Sequence, residues 1–314
     1  MNKVKKFNIA TCCRLLGYSR QAYYKTYASS KPTYDVKEIL KKEVFKARLK
    51  CPGKGCREIY YEIADQLPIG RDQAIKMMQE LKLGVKEKSK YHRTTESGKR
   101  IFDNLLTDIT VTKLNQVWQA DMSYFKVGSK TYYLIFITDV YSQHILGYGA
   151  FKRAYSEYFV KVLHQAIELR LSYGDSLKSL IHHSDGGKQY ESHLYQKACN
   201  KYNITQSMCY YSWENPYAEK TNDLVKNRYL KYWQPKSFDE LEYLLSKAVI
   251  DHNGNQKKSI LNRHSPLDFE NRIRGKKEKQ ASYRLKLKPR RPRTKNKIIT
   301  FIKRRAKCDN QIQD

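Results

Sequence analysis

Apolar residues recur at helical spacing through the first 85 residues of the chain. The stretch Ile9–Leu16 meets Gly17, and Ser19 then stands at the N-cap of a second helical stretch, which predicts a helix, a tight turn and a helix. A second pair of helices is predicted over Cys56–Gln66 and Arg71–Leu83, because apolar side chains return every three or four residues in both. Each pair is a candidate helix-turn-helix, although helical hairpins that only pack are about as common.

From about residue 103 the pattern changes to short segments rich in Tyr, Val and Ile. Three of them predict an antiparallel meander because only short links join them: Val117–Val127, Thr131–Val140 and His144–Phe151. An amphipathic helix is predicted over Ser156–Tyr173, and the later predicted elements are the strand Leu177–His182, the helix Ser192–Tyr202, the strand Ile204–Met208 and the helices beginning at Pro216 and Phe238. The order βββαβαβα predicts an α/β fold with a mixed five-stranded sheet.

The chain is strongly basic. Sixty-one Lys and Arg against 31 Asp and Glu leave a formal net charge of +30 on 314 residues. Such an excess indicates a polyanionic partner, either nucleic acid or an anionic membrane surface. A hydrophobic fraction of 40% excludes a disordered basic tail protein. The charge therefore favours DNA binding by the two helix pairs.

More than half of this excess lies near the carboxyl terminus. Between Arg272 and Lys307 there are seventeen Lys or Arg and a single acid, Glu278. Two prolines argue against a continuous helix there. A disordered phosphate-binding arm is the simpler interpretation, with a strand over Lys297–Lys303 as the alternative.

Membrane and secreted classes fit poorly. The longest strongly apolar run is Tyr132–Ile137, far short of the ~20 residues of a spanning helix, and no hydrophobic signal segment follows the first lysines. Seven cysteines, an odd number, suit a reducing cytosol. Cys51 and Cys56 are too loosely spaced for a metal site without a second Cys/His pair. We therefore expect a cytoplasmic protein without a membrane partner.

Five segments follow from these shifts in pattern and charge. The sequence predicts an amino-terminal helix-turn-helix over 1–30, a second helical DNA-binding domain over 35–85, a basic linker over 86–103, a catalytic core over 104–255 and a basic carboxyl-terminal region over 256–314. The expected architecture is thus an α/β core preceded by all-α DNA-binding domains and followed by a basic extension.

Three acids occupy places where an acid does not help the fold. Asp121 interrupts a predicted strand, and Asp185 directly follows another, with two glycines making the turn. Glu219 lies one turn into a helix for which Asn215 can cap and Pro216 can take the first position. Taken singly, each acid has an ordinary explanation as a bulge, turn or helix-surface residue.

Taken together, the three carboxylates supply hard oxygen ligands for two Mg²⁺ ions, for which Mn²⁺ can substitute. Two such ions activate the attacking water or hydroxyl and stabilise the departing oxygen of a phosphodiester. A metal-dependent reaction on DNA is the hypothesis that unites the acids with the basic charge.

The motifs that contain these acids resemble those of a known family. WQADMSYF, HHSDGGKQY, SMCYYSWENPYAEKTNDLVKNRYL and HSPLDFE are similar to the DDE transposases of the insertion-sequence-three family, in their OrfB-type catalytic chain, relatives of retroviral integrases. The resemblance extends to the amino-terminal helix pairs. It implies an RNase H-like core, a catalytic triad of Asp121, Asp185 and Glu219, and metal-dependent end cleavage and strand transfer of a mobile element.

The chain departs from the family pattern in two places. The family typically has thirty-five residues between the second Asp and the Glu, whereas 33 lie between Asp185 and Glu219 here. The deletion falls within Cys209–Glu214, which leaves Glu214 as a rival third acid, although it precedes the predicted helix. Gly186 stands where the family more commonly has Arg.

Several residues are predicted to contact DNA. Asn222 and Lys226 share a helix face with Glu219, and a Lys occupies the latter place in the family. The second helices of the two pairs supply the others: Arg20, Gln21, Arg71, Gln73 and Lys76. The resemblance further implies terminal inverted repeats and target DNA as partners, a dimer or larger oligomer in a synaptic complex, an upstream OrfA-type protein, and association with the bacterial nucleoid.

Two other functions remain open at this point. A non-catalytic DNA-binding repressor, or an inactive remnant binding the terminal repeats, would keep the helix pairs and the basic tail. A nuclease acting on RNA–DNA hybrids would leave the helix pairs unexplained. Among nearby residues, His182 and His183 are expected to be strand-end histidines satisfied by backbone, Trp118 and Trp213 core or loop anchors, and Asp139 a strand-end acid.

Overall fold

A computed structural model describes residues 8–85, 101–107, 109–274 and 285–286 of the chain, apart from the side chains of 27–35, 212 and 285–286. The helices are α1 (Ile9–Leu15), α2 (Arg20–Lys50), α3 (Cys56–Ile63), α4 (Arg71–Glu80), α5 (Ser156–Ser172), α6 (Lys188–Glu191), α7 (His193–Lys201), α8 (Pro216–Val225), α9 (Lys231–Trp233), α10 (Phe238–Asn255) and α11 (Pro266–Ile273). The strands are β1 (Thr110–Val111), β2 (Val117–Val127), β3 (Lys130–Asp139), β4 (Ile145–Phe151), β5 (Ile181–Ser184), β6 (Thr205–Met208) and β7 (Leu285–Lys286).

The chain divides into two compact units, each made of two separate stretches. The first comprises Met1–Arg93 and Leu224–Ser265, and the second comprises Thr94–Asp223 and Pro266–Asp314. The expected core over 104–255 and tail over 256–314 differ from this division. The last part of the expected core, from Leu224, belongs to the first unit, and the expected tail is divided between the two units after Ser265. Helix α10 groups with the amino-terminal helices, and α11 groups with the sheet, where its Glu270 is completely buried.

The predicted first helix pair is present, but its second helix does not end where expected. Asn8 caps α1, and the Ser19 hydroxyl accepts the Ala22 N–H at 3.0 Å at the start of α2. Helix α2 then continues for 31 residues to Lys50. The expected boundary between residues 30 and 35 is therefore absent, because Val36, Leu40 and Val44 in its later turns extend the helix into the next hydrophobic core.

Helices α3 and α4 confirm the second predicted pair. Ile59 and Ile63 of α3 and Met78 of α4 are buried together with the later turns of α2. A 3₁₀ turn over Ala64–Gln66 ends the first helix of the pair. The pair is thus a packed part of the first unit, with its polar face exposed.

A π-helical turn over Lys226–Leu230 joins α8 to α9. The backbone N–H of Gly53 donates to the Arg228 carbonyl at 2.9 Å, and a Cβ at Gly53 would lie 2.7 Å from the Arg228 Cα. Such turns leave helix carbonyls without their regular partners, so this contact satisfies one of them. Only glycine allows the two backbones to approach this closely.

The second unit contains a five-stranded mixed sheet in the order β4-β3-β2-β5-β6. The first three strands pair antiparallel, which confirms the meander, while β2–β5 and β5–β6 are parallel. Strand β5 begins four residues later than predicted, because Ser179 takes a left-handed turn with φ 67° before it. A small second sheet pairs β1 with β7.

The two faces of β2 have different surroundings. Trp118 and Ala120 point into the hydrophobic core formed with α5 and α7, as expected for Trp118. Because side chains alternate along a strand, Gln119 and Asp121 point to the opposite face. Hydrogen bonds from that face reach α8. The candidate acid in β2 therefore lies outside the apolar core.

A buried ionic network holds α11 in the second unit. The Arg170 guanidinium donates to Glu270 at 2.6 Å and lies 3.4 Å from Asp139. Burial raises the pKa of Asp139. Burial acts in the same direction on Glu270, but the charge of Arg170 and the hydrogen bonds from His144 and Arg170 together outweigh it and hold the pKa of Glu270 well below its usual range. Asp139 also accepts the backbone N–H groups of Tyr141 and Ser142, which confirms its strand-end role.

Parts of the basic regions lie outside the described residues, including most of the linker over 86–103, the arm after residue 286 and the alternative strand Lys297–Lys303. Within the described ranges, no helix is long and apolar enough to span a membrane.

Candidate active site

Asp121 and Asp185 lie at neighbouring positions on two parallel strands. The last register pair between β2 and β5 is Ala120↔Ser184. Asp121 is the next residue within β2, and Asp185 is the first residue after β5. Since neighbouring strands lie about 4.8 Å apart, the two carboxylates share one small region. The backbone N–H of Gly187 donates to Asp185 Oδ1 at 3.3 Å and holds that side chain at the turn.

Asn222 of α8 fixes the orientation of Asp121. Its Nδ2 donates to Asp121 Oδ2 at 2.7 Å, and its Oδ1 accepts the Ser123 hydroxyl at 2.8 Å. The side chain is 3% exposed and uses both ends of its amide within the protein. The prediction that Asn222 contacts DNA is therefore wrong, because this side chain is buried against the acid that it orients.

Further contacts fix the start of α8, which carries Glu219. Gln119 Oε1 accepts the Tyr217 N–H at 2.9 Å, and Asn215 Nδ2 donates to the Ala120 carbonyl at 2.8 Å. Asn215 Oδ1 has no hydrogen-bond partner among the described residues, so the predicted side-chain cap is not formed. Both contacts instead tie the first turn of the helix to β2, within two residues of Asp121.

The charges of the three acids act on one another. Burial, followed by the charge of Asp185, raises the pKa of Asp121 to about 7, and the charge of Glu219 adds to this rise. The Asn222 hydrogen bond opposes it. Burial also raises the pKa of Asp185, against the hydrogen bond from Gly187. The carboxylates thus form a site that a cation would stabilise.

Glu214, the rival third acid, is engaged in its own loop. Its Oε2 accepts the backbone N–H groups of Tyr210 and Tyr211 at 2.5 and 3.0 Å. Trp213 stacks on Tyr211 with ring centroids 4.2 Å apart, as expected for a loop anchor. Glu219 is exposed in the first turn of α8. Its exposure agrees with a role in the site, and Glu219 stays the predicted third acid.

The donor set suits a hard divalent cation. Mg²⁺ is commonly held by one or two carboxylates together with water and substrate phosphate, so Asp121 and Asp185 are sufficient as a protein platform. Over the described ranges, no group of three His, Cys, Asp or Glu side chains is already arranged to hold a metal ion. Glu219 would complete the set from the helix.

His182 and His183 are structural residues of β5. Tyr195 Oη lies 2.6 Å from His182 Nε2, and Ser207 Oγ lies 2.9 Å from His183 Nδ1. His182 is thus satisfied by a side chain where a backbone partner was expected, whereas His183 combines the Ser207 hydroxyl with a hydrogen bond to the Glu214 backbone. Burial lowers the pKa of His182 to about 3 and that of His183 to about 4, so both rings are neutral and neither is a candidate general base at neutral pH.

Sequence reasoning missed Gln119 and Tyr190 near the acids and assigned Asn222 to DNA rather than to Asp121. Gln119 and Asn222 are buried amides with the contacts given above, and Tyr190 is buried with a hydroxyl that has no hydrogen-bond partner within the described residues. Burial and the charge of Asp185 raise the pKa of Tyr190 well above its ordinary value. The available signal was a polar side chain in a buried strand, which Gln119 provides two residues before Asp121.

The other predicted DNA contacts lie in the first unit. Those on its second helices are exposed, on the first turn of α2 or along α4: Arg20, Gln21, Arg71, Gln73 and Lys76. Lys226 is half-buried at the start of the π-helical turn. Exposure agrees with a surface role on the two helices, and DNA contact by these residues stays a prediction.

Comparison with known proteins shows which family this chain resembles. Residues 111–211 match the family model described as the integrase core domain. The 31 kDa protein of insertion element IS600 from Shigella sonnei is 30% identical over 271 residues, which are 82% of this chain and 96% of that protein. The putative transposase for insertion sequence element IS986/IS6110 from Mycobacterium tuberculosis is 27% identical over 62% of this chain and 73% of its own length.

A solved structure with a similar fold is the catalytic core domain of HTLV-2 integrase in complex with magnesium. It is 22% identical with a TM-score of 0.41, and the match covers 53% of this chain and 98% of that one. The integrase core match and the observed order of strands give the second unit an RNase H-like fold.

Proposed function

Since this chain belongs to the insertion-sequence-three family of DDE transposases and is a polynucleotidyl transferase, we propose that it cleaves the ends of an insertion sequence and joins them to target DNA. Asp121, Asp185 and Glu219 are its catalytic carboxylates. The free 3′-hydroxyl of the cleaved DNA is the nucleophile of the joining step, so the protein supplies no covalent nucleophile.

One observation carries this proposal: Asp121 and Asp185 directly follow the last register pair of β2 and β5. The helix that carries Glu219 reaches the same place through the Asn222–Asp121 hydrogen bond. Two aspartates distant in sequence are thus adjacent, and the charge of Glu219 acts on one of them, in a chain with a net charge of +30. A structural role for the acids alone gives no reason for this convergence.

Asp121 and Asp185 would hold one or two divalent ions, with Glu219 as the third ligand. When bound, Mg²⁺ or Mn²⁺ supplies Lewis-acid activation of the attacking oxygen and stabilises the departing one. Asn222 holds Oδ2 of Asp121, and a hydrogen bond from the Met122 backbone also reaches this carboxylate, so its orientation toward the ion would be fixed by the protein. Gln119 holds the first turn of α8 and thereby sets the position of Glu219 relative to β2.

The basic surface supplies the binding energy for DNA. Lys and Arg side chains neutralise phosphates and release counterions, which gives affinity without sequence specificity. The exposed helix pairs bind the terminal inverted repeats. Because two ends must be held for joining, we propose a dimer or larger oligomer in the synaptic complex, and a requirement for an upstream OrfA-type protein stays a prediction.

The test uses the full chain, labelled terminal-repeat duplexes and Mg²⁺. Asp185→Asn keeps the size of the side chain and removes its charge. We expect end cleavage and joining to fall by at least about 100-fold, because metal stabilisation of the transition state amounts to several kcal/mol. Binding of the same duplex, measured by gel shift, should change little.

Glu219→Gln and Glu214→Gln form a matched pair that separates the rival third acids. The first should be as inactive as Asp185→Asn, and the second should retain cleavage if its loop still closes. Activity of Asp185→Asn at the wild-type rate would refute the triad. Loss of activity in Glu214→Gln but not in Glu219→Gln would move the third role to Glu214.

A further inference from the structure

Two arginines distant in sequence meet at Tyr61 on the surface of the first unit. Arg71, the first residue of α4, donates from Nη1 to the Tyr61 hydroxyl at 3.2 Å. Arg263, from the loop after α10, stacks on the same ring with its Cζ 3.4 Å from the centroid. We call these three residues the Tyr61 cluster. Its two cations are brought together by one aromatic ring.

The backbone places Arg263 there in an unfavourable conformation. Asn262 and Arg263 both lie in the left-handed region, with φ values of 50° and 64°. Asn tolerates this region, whereas for Arg it is unusual and costs free energy. The loop is closed by the Arg263 N–H to the Lys258 carbonyl at 2.8 Å and anchored by Leu261, which is 1% exposed. Glycine would avoid the strain, so the side chain of Arg263 indicates a function.

Nearby acids leave the cluster positively charged. Glu58 pairs with Arg228 at 2.6 Å, and Glu62 pairs with Lys54. Asp72, whose side chain is 84% exposed, takes only the Nε of Arg71, at 2.8 Å. Across the parts of the chain that the structure describes, no carboxylate forms an ion pair with Arg263. Arg263 also shares a hydrogen bond with the Tyr61 side chain. A guanidinium has five N–H donors, so others remain to match phosphate oxygens.

We propose that Arg71 and Arg263 bind the same stretch of DNA phosphate backbone, with Tyr61 as the rigid spacer between them. This inference rests on the proposed function. It makes the loop over residues 258–264 part of the DNA-binding surface of α3 and α4. The contact positions the duplex and does not discriminate bases, because phosphates carry no sequence information.

Arg263→Ala is the direct test, and Arg153→Ala is the matched control. Arg153 is also an exposed arginine beside a tyrosine, since its Nη1 donates to the Tyr155 hydroxyl at 2.8 Å, but it lies in the second unit. Affinity for a terminal-repeat duplex and for a random duplex is measured by fluorescence anisotropy over a series of salt concentrations. Arg263→Ala should weaken both duplexes to the same extent, by about 3- to 10-fold, and reduce the salt slope by about 0.9. Arg153→Ala should leave the affinity and the slope unchanged.

Glycine variants test whether the left-handed backbone at Arg263 lowers stability in exchange for DNA affinity. Arg263→Gly relieves the backbone and removes the guanidinium, so its melting temperature should rise by about 2 to 4 °C while DNA affinity falls as in Arg263→Ala. Asn262→Gly should not raise the melting temperature, because Asn already tolerates this region, and it should leave DNA affinity unchanged. An Arg263→Gly protein that is no more stable than wild type would overturn the role given to the strain.

The outcomes separate this inference from the proposed function. If wild type binds and joins terminal-repeat DNA but Arg263→Ala binds both duplexes with wild-type affinity and slope, the phosphate site is wrong and the transposase function stands. If Arg263→Ala loses affinity for the terminal repeat alone, the arginine contacts bases and the phosphate assignment is wrong. If wild type neither binds nor joins such DNA, the proposed function itself fails.

Discussion

Asn222→Ala tests whether a buried amide sets the geometry of Asp121. The substitution removes the 2.7 Å hydrogen bond to Asp121 and leaves the Ser123 hydroxyl without its acceptor. A hydrogen bond to a charged group contributes about 1.5 to 3 kcal/mol. If that energy maintains the reactive orientation, cleavage should slow by about 10- to 100-fold, since about 1.4 kcal/mol corresponds to a factor of ten.

The assay is single-turnover cleavage of a labelled terminal-repeat duplex as a function of DNA and Mg²⁺ concentration. We expect the rate at saturating DNA to fall and the apparent DNA affinity to stay near wild type, because Asn222 is 3% exposed. A higher Mg²⁺ requirement should accompany the slower rate. A packing role alone would lower the melting temperature without moving the Mg²⁺ requirement.

Ser123→Ala is the control for this prediction. It removes the partner at the far end of the Asn222 amide and leaves the bond to Asp121 in place. Its effect on the cleavage rate should be under about tenfold, in line with a neutral hydrogen bond of about 1 kcal/mol. An Asn222→Ala protein that cleaves at the wild-type rate with the wild-type Mg²⁺ requirement would refute the positioning role.

Three further predictions concern stability and geometry. Glu270→Gln should lower the free energy of unfolding by about 3 kcal/mol at neutral pH, because it removes the nearest carboxylate from a buried arginine whose remaining acidic partners, Asp139 and Asp175, lie 3.4 and 3.6 Å away. The pKa of Glu270 is depressed in the folded state, so its contribution to the free energy of unfolding is present above the ordinary glutamate pKa and is lost as the pH falls through the folded pKa. In an acid titration, the stability of Glu270→Gln should therefore fall less steeply with pH than that of wild type. Gly187→Ala places a Cβ 3.1 Å from Asp185 Oδ1 and should slow cleavage about tenfold with DNA binding unchanged. Gly53→Ala meets the Arg228 Cα at 2.7 Å and should lower the free energy of unfolding by about 1 to 3 kcal/mol, measured by denaturant titration.

Local signals in the sequence were enough for most of the sheet and for the position of the acids. Alternating apolar residues predicted β2 with its observed ends, Val117 and Val127, and Pro216 marked the first residue of α8. These features depend on neighbouring residues, which a single sequence displays. The antiparallel meander follows for the same reason, because its links are short.

Features that depend on distant contacts were not predictable. Nothing local shows that the later turns of α2 pack with α3, so a boundary was expected inside a continuous helix. Asn222 shares a helix face with Glu219, which suggested a DNA contact, whereas its partner is Asp121, 101 positions earlier. Glu270 pairs with Arg170, 100 residues earlier in the chain, and neither the periodicity nor the charge pattern of the sequence indicates this pairing.

The parallel pairing of β2 with β5 also determines when the active site can form. Val117 and Ile181 are register partners, and the meander and α5 lie between them in the chain. Pairing over this separation requires closure of a long loop, so it follows the local hairpins during folding. A nascent chain therefore has no adjacent aspartates until β5 has left the ribosome, and Glu219 arrives later still. The proposed site therefore cannot assemble before synthesis has passed Glu219.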